Sequence, residues 1–341
     1  MAPAIFCPAS PVRMAQTTAF LTGGTGFIGS HLASALVARG VRVRALVRAA
    51  PKWLADVPVE IVRGDLEDAE ALREGLAGAD YVYHVAGLTR ATDEAAFEAG
   101  NVTATTRLLD AVREAAPDVR RVLITSSLAA VGLCGAVVAT EESPLRPISR
   151  YGASKARMEA ALAPYHADLP LVVVRPPAVY GPREADIFEF FKTASSGICP
   201  VVGDPNVPAL SLVHVRDLVA GMIAAAEAPN TAGGLYFLGS AAHHSWAEIR
   251  DATARALGRR LITVRVPEVL VLPVGSVVET FGRLFGQYPP LNREKAREIR
   301  DACKRCAIDK AARDFGYAPA VGLDEGIEET IAWYRREGWL T

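Results

Sequence analysis

Short apolar runs alternate with amphipathic stretches through the first half of the chain. Residues 18–22 read as a strand, 27–39 as an amphipathic helix ending before Gly40, and 41–47 and 59–63 as the next two strands. A short helix over 69–76 and an apolar strand over 81–86 follow, then a helix through roughly 95–115. Residues 121–126 and 171–175 are two more strands, with a helix over about 151–167 between them. The strands are near-continuous apolar runs, so both of their faces are covered, as parallel strands between helices require. The repetition predicts an α/β fold of the Rossmann type, a doubly wound parallel sheet.

After Pro182 the rhythm changes. Helical patterns over 184–196, 216–228, 246–257, 267–285, 292–302 and 322–337 are joined by short links rich in Pro and Gly, with strands near 234–238 and 261–265. The expected organisation is a flexible extension over 1–16 and a nucleotide-binding domain over 17–182. A smaller, mostly helical substrate lobe over 183–341 closes over the carboxyl edge of the sheet and returns some strands to it.

Half of the 341 residues are hydrophobic and 22% are charged, which excludes a disordered or fibrous chain. With 37 basic against 38 acidic residues there is no excess to hold a nucleic-acid backbone or an anionic membrane. The cysteines (7, 134, 199, 303 and 306) are odd in number and scattered, so they are expected unpaired in a reducing compartment. Cys303 and Cys306 form a lone CxxC without a second pair or a nearby histidine, and no metal site is expected. The first twelve residues hold three prolines and no charge; lacking a basic leader, they do not read as a signal peptide, and Met14 is a candidate start. The longest uncharged run within the apolar stretch 269–285 is ten residues, 269–278, against the ~20 of a membrane span. The expectation is a soluble, cytoplasmic protein.

Candidate chemistry begins after the first strand. Gly23, Gly26 and Gly29 lie in the run Thr22 to Gly29, which also holds Thr25, Phe27 and Ile28 and opens the first helix. Glycine permits the tight turn and lets backbone approach a pyrophosphate, while the helix amino terminus supplies N–H groups and a positive dipole end. The second strand ends without the acid that binds a ribose 2′-hydroxyl in NAD sites; Arg48 stands there instead, with Lys52 near it. Either these are solvated edge residues or they receive a 2′-phosphate, and the pattern favours NADP over NAD. Asp65, followed by Leu66, is placed after the third strand to accept from an adenine amino group.

Tyr151 and Lys155 are four residues apart and share a helix face. An ammonium beside a phenol stabilises the phenolate and brings its pKa down from about 10, which suits a general acid or base near neutral pH. Ser127 ends the strand just before this helix, where a hydroxyl can polarise a carbonyl held against the tyrosine.

The order of glycine loop, serine and tyrosine–lysine pair resembles the extended short-chain dehydrogenase/reductases, the group of NAD-dependent epimerase/dehydratases, dihydroflavonol reductases and 3β-hydroxysteroid dehydrogenases. Matching segments are TGGTGFIG, GDL at 64–66, HVAG at 84–87, Asn101 in GNVTATTRLL, TSSLAAVG at 125–132, YGASK, RPPAVYGP at 175–182 and LVHVRDL at 212–218. The resemblance spans about 18–339. It implies that Ser127, Tyr151 and Lys155 are catalytic, that Lys155 also reaches the nicotinamide ribose, and that Val85, Ala86, Gly87, Pro176 and Val179 line the nicotinamide side. It implies structural roles for His84, His214 and Asn101, with Asn101 also able to organise a water near Lys155, and a possible homodimer through helices after the fourth and fifth strands.

Departures narrow the choice. Sugar 4,6-dehydratases place an acid one or two positions after the catalytic hydroxyl, where this chain has Leu128 and Ala129. Nucleotide-sugar epimerases place an arginine five residues before the valine of the motif at 214–215, where this chain has Leu210. Arg183 is either a substitute diphosphate clamp or a solvated residue at a helix start. The expectation is an NAD(P)-dependent oxidoreductase, NADP-preferring, that reduces a carbonyl (or oxidises a secondary alcohol) of an apolar small molecule, with residues 269–285 as a lid or a plain core helix. The alternatives are a sugar epimerase with tightly held cofactor and a non-catalytic nucleotide-sensing scaffold.

Overall fold

The computed structural model describes residues 16–135, 137–207, 209–267 and 293–340. The expected extension and the segment 269–285 lie almost wholly outside these residues. Seven strands, all parallel, form the central sheet: β1 (Thr18–Thr22), β2 (Arg42–Val47), β3 (Glu60–Arg63), β4 (Tyr81–His84), β5 (Arg121–Thr125), β6 (Leu171–Arg175) and a strand at Gly234–Phe237. From one edge the order is Gly234–Phe237, β6, β5, β4, β1, β2, β3. Every residue of β1, β5 and β6 is buried, which is why these strands read as unbroken apolar runs. The winding reverses between β1 and β4, whose register pairs Thr22 with His84. A crevice therefore opens beyond the carboxyl ends of these two strands, where doubly wound sheets bind ligands.

Helices cover both faces. Leu32 and Leu36 of α1 (Phe27–Ala38) pack in one apolar cluster with Leu218 and Met222 of the helix Val215–Glu227. On the other face α2 (Ala69–Leu76), α4 (Ala104–Ala115) and α5 (Arg150–Ala161) contribute Leu72, Leu76, Leu108, Leu109 and Met158 to a second cluster. The predicted helix over 95–115 is present but begins as α3 (Glu94–Phe97) and passes through a wide π turn at Glu98–Thr103 before α4. The helix predicted to reach 167 stops at Ala161, with a 3₁₀ turn at Ala163–Tyr165 built around Pro164, which has no N–H to continue the ladder.

Beyond Pro182 the elements are β7 (Ala178–Tyr180, just before it), α6 (Phe188–Ser195), β8 (Ile198–Val202), β9 (Leu210–His214), α7 (Val215–Glu227), β10 (Gly234–Phe237), β11 (His243–His244), α8 (Trp246–Leu257), β12 (Ile262–Val266), α9 (Arg293–Asp301), α10 (Asp309–Phe315) and α11 (Leu323–Arg336). This half carries more strand than its sequence pattern suggests: β11, β9 and β7 form one small sheet and β12 and β8 another. Meanwhile β10 and α7 belong to the central sheet and its cover. A third apolar cluster joins α6, α8 and α11 through aromatic rings, with Tyr334 stacked on Trp339 at 5.6 Å and both against Phe188. Asp217 of α7 accepts the Ala320 and Val321 amides at 3.0 and 2.9 Å, which ties the approach to α11 back onto the core.

The cysteines depart from expectation. Cys134 and Cys303 form a disulfide across 169 residues, joining the loop after Ser127 to the chain after α9. Only tertiary placement, with Cα atoms 5.1 Å apart, brings them into bonding range. Cys306, the other half of the CxxC, is free and buried, as is Cys199.

Candidate active site

Four loops meet at the carboxyl ends of the strands. The first is the glycine loop. Gly23 has φ +75°, and a Cβ there would lie 2.5 Å from the Ala86 amide nitrogen, so this loop and the one after β4 touch backbone to backbone. Gly26 is the N-cap of α1 and offers no side chain to the first-turn amides; no acid stands in that turn either. A Cβ on Gly29 would reach within 2.2 Å of the Gly23 carbonyl. The helix end is thus open toward an anion, with Thr25, Phe27 and Ile28 partly exposed around it.

In the loop after β4, the Val85 and Ala86 amides donate to Thr22 O and Thr22 Oγ1 at 3.2 and 3.3 Å. Gly87 lies beside the lysine: a Cβ there would sit 3.2 Å from Lys155 Nζ and 3.0 Å from Asn101 Oδ1. Asn101 spends its side chain on structure, accepting from Leu88 N at 2.7 Å and donating to Leu88 O and Ser154 Oγ at 3.0 and 2.8 Å. His84 is sealed between Thr22 Oγ1 and Thr105 Oγ1 at 2.7 and 2.8 Å, and burial holds its pKa down at about 3. His214 is likewise buried and neutral, its pKa lowered to about 4 by desolvation and then by Arg216. It packs edge-on to Tyr180 and accepts the Arg216 amide as the N-cap of α7.

The candidate reacting groups come from the end of β5 and from α5. Ser127 stands two residues beyond β5 and its hydroxyl accepts the Ala129 amide at 3.1 Å, opening a turn whose Leu128 amide is held by the Pro176 carbonyl at 3.0 Å. That bond joins the serine loop to the Pro176–Val179 segment. Ser149 caps α5 by accepting the Gly152 amide at 3.1 Å, which places Tyr151 in the first turn. The Ser127 side chain acts on the Tyr151 phenol, drawing its pKa down, and Phe97 stands 6.2 Å from its ring. One turn on, Lys155 is buried and Nζ donates to the Thr125 carbonyl at 2.8 Å.

Here the electrostatics correct the reading from sequence. The Tyr151 phenol is pushed up, not down: burial is the main cause, opposed by the Ser127 hydrogen bond and reinforced by Glu298 and Asp186. The Lys155 ammonium points at a carbonyl, and burial lowers its pKa to about 8 against the pull of Glu159. Without a ligand, the phenol is a protonated donor held by serine.

On the β2 side, Arg48 and Lys52 are exposed, Lys52 with φ +49°, and neither makes an ion pair among the described residues. Asp65 and Leu66 follow β3 and are partly buried, with Asp65 Oδ1 accepting the Glu67 amide at 2.9 Å. Arg183 is partly buried: its guanidinium lies over the Trp53 ring at 5.4 Å with Nη1 buried, and its φ is +74°.

A family model for the NAD dependent epimerase/dehydratase family matches residues 19–239. The chain belongs to that family. Ceramide reductase of Caulobacter vibrioides is 32% identical over 325 residues, covering 94% of this chain and 95% of that protein. The 4-hydroxy-2-methyl-3-oxo-4-farnesyl-3,4-dihydroquinoline-1-oxide ketoreductase of Stigmatella aurantiaca is 32% identical over 326 residues, covering 91% and 94%. Among solved structures, MoeE5 in complex with UDP-glucose and NAD matches at TM-score 0.74 and 26% identity, over 94% of this chain and 99% of that one. As a family member the chain is an enzyme of the nicotinamide-dependent kind. The residues fit such a cofactor: a bare helix end, and glycines where any Cβ would collide with the loop backbone.

Sequence reasoning singled out the tyrosine, lysine and serine but passed over three polar residues packed beneath them: Ser126, Glu159 and Arg175. A signal was available, since Glu159 follows Lys155 by the same four residues that separate Lys155 from Tyr151.

Proposed function

We propose that this enzyme is an NADPH-preferring ketoreductase acting on a long-chain or otherwise apolar carbonyl compound. The observation that carries this reading is that the end of β5 and the first turns of α5 bring Ser127, Tyr151 and Lys155 together, Lys155 donating to the Thr125 carbonyl at 2.8 Å, with no acid beside them at Leu128 or Ala129. Elimination of water needs such an acid; carbonyl reduction does not. The bound nicotinamide supplies the hydride. Ser127 holds the substrate oxygen and Tyr151 donates its proton to that oxygen as charge develops there. Lys155 stabilises the phenolate that remains and orients the nicotinamide ribose. The raised pKa of the phenol keeps the proton in place until a substrate oxygen arrives.

Both curated relatives described above are named as reductases of compounds with long hydrocarbon portions, which supports an apolar substrate. Exposed Leu88 and Leu133 stand on the loops that carry Gly87 and Ser127, and they suit an apolar chain at the entrance. A sugar epimerase is the second reading, favoured by the nucleotide-sugar complex of MoeE5, but Leu210 stands where the diphosphate-binding arginine is expected.

Nicotinamide absorbance with NADPH and NADH, against long-chain 3-oxo compounds, steroids, flavanones and aryl ketones, tests the proposal. Consumption with one of these supports a reductase; tight cofactor binding without consumption turns the search to sugars. Arg48 has a separate expected outcome. Arg48→Ala should raise KM for NADPH by about 10–100-fold, the loss of one charge-assisted phosphate contact, and leave KM for NADH nearly unchanged. Equal change for both cofactors would show that Arg48 reads no 2′-phosphate.

A further inference from the structure

The three consecutive residues Thr125, Ser126 and Ser127 each grip one turn of α5. The Thr125 carbonyl accepts from Lys155 at 2.8 Å, the Ser126 hydroxyl donates to Glu159, and the Ser127 side chain draws down the pKa of Tyr151. Tyr151, Lys155 and Glu159 are spaced by four and form one helix face. Glu159 is the anchored end of that ladder. Arg175 of β6 donates from Nε to Oε1 at 2.8 Å and from Nη2 to Oε2 at 2.5 Å, a two-pronged pair with side chains only 4% and 8% exposed.

We propose that Glu159 is a positioning residue of the reaction: clamped by Arg175 and Ser126, it keeps the Lys155 ammonium charged and holds the reacting face of α5 against the end of β5. The inference rests on the reading of Tyr151 and Lys155 as the reacting pair.

The charge count explains why Lys155 depends on this residue. Two buried cations, Lys155 and Arg175, share the single carboxylate of Glu159. The other groups around Lys155 carry no compensating charge: Tyr151 is a neutral phenol, His84 of β4 is neutral, and Asn101, the Thr125 carbonyl and the Met158 sulfur at 3.9 Å are uncharged. Remove the carboxylate and two uncompensated cations remain. An arginine does not release its proton, so the lysine must yield. Remove Arg175 instead and Glu159 is left to Lys155 alone. The two truncations therefore act on Lys155 in opposite directions, which a purely architectural ion pair would not do.

The sign follows directly. The Lys155 ammonium is lost as pH rises through about 8. Glu159→Gln moves that loss to lower pH by about one unit, a tenfold change in the charged fraction, and Arg175→Met moves it to higher pH. The direct readout is an NMR titration of ¹³Cε-labelled lysine; the chain has only six lysines, and Lys155→Met assigns the resonance. The kinetic readout is the alkaline limb of kcat/KM, which should shift in the same two directions, with Glu159→Asp restoring part of the wild-type profile. Because each single variant strands a buried charge at a cost to stability, the double variant Glu159→Gln/Arg175→Met removes both together, and it should return the titration close to wild type. Shifts in the same direction for both single variants, or a double variant displaced from wild type as far as Glu159→Gln, would overturn the proposal. If the NMR shifts appear while the alkaline limb stays in place, Glu159 governs Lys155 but Lys155 does not govern turnover, and it is the reading of the reacting pair that fails.

Discussion

Tyr151→Phe should lower kcat/KM for carbonyl reduction by about 10²–10⁴-fold, the span of a positioned general acid, while the Kd for NADPH changes little. The substitution removes one oxygen and leaves a ring that fills the same space beside Phe97 at 6.2 Å. What is lost is the phenolic proton, which burial keeps in place. Stopped-flow turnover with NADPH, alongside cofactor titration by fluorescence, separates the two effects. Near-normal turnover in Tyr151→Phe would exclude the proposed chemistry, and equal loss of binding and turnover would mean that the residue only shapes the pocket.

The second large effect is expected at the glycine loop. A Cβ on residue 29 would stand 2.2 Å from the Gly23 carbonyl oxygen and 2.9 Å from the Gly24 Cα, both backbone atoms that cannot swing aside. Gly29→Ala must therefore push α1 away from the loop. Such overpacking costs about 1–3 kcal/mol of stability. It also withdraws the first-turn amides from the position of the diphosphate, and cofactor affinity should fall at least ~100-fold, the loss of about 2.7 kcal/mol. Thermal unfolding with and without NADPH reads both quantities. The variant should melt lower and gain almost no stability from NADPH. Gly40→Ala, where nothing lies within 4 Å but φ is +78°, serves as a control that costs stability alone.

Much of the site could be read in the chain because it is local. The glycine triplet needs only a strand before it and a helix after it, and β1 and α1 stand where the apolar pattern put them. The spacing of Tyr151 and Lys155 works because one helix turn carries both. Errors arose where several elements meet. The phenol was expected to be acidified by the lysine, but the fold desolvates the phenol and turns the ammonium to the Thr125 carbonyl. Arg183 offered two meanings in sequence, and its packing over the Trp53 ring was not among the things the sequence showed. The second half misled most, since β7, β8, β9 and β11 are short and lie in small sheets whose pairing is non-local.

By itself the sequence determined the parallel sheet, the family and the candidate residues that the fold brings together, because continuous apolar strands, glycines at a turn and a four-residue spacing are short-range properties with direct structural consequences. Tertiary structure alone decided which cysteines pair, which carboxylate sits beneath the lysine and which way each titratable group is pushed. Those depend on distances between residues far apart in the chain, such as Glu159 from Arg175 and Cys134 from Cys303, and on how completely the packing around them excludes water.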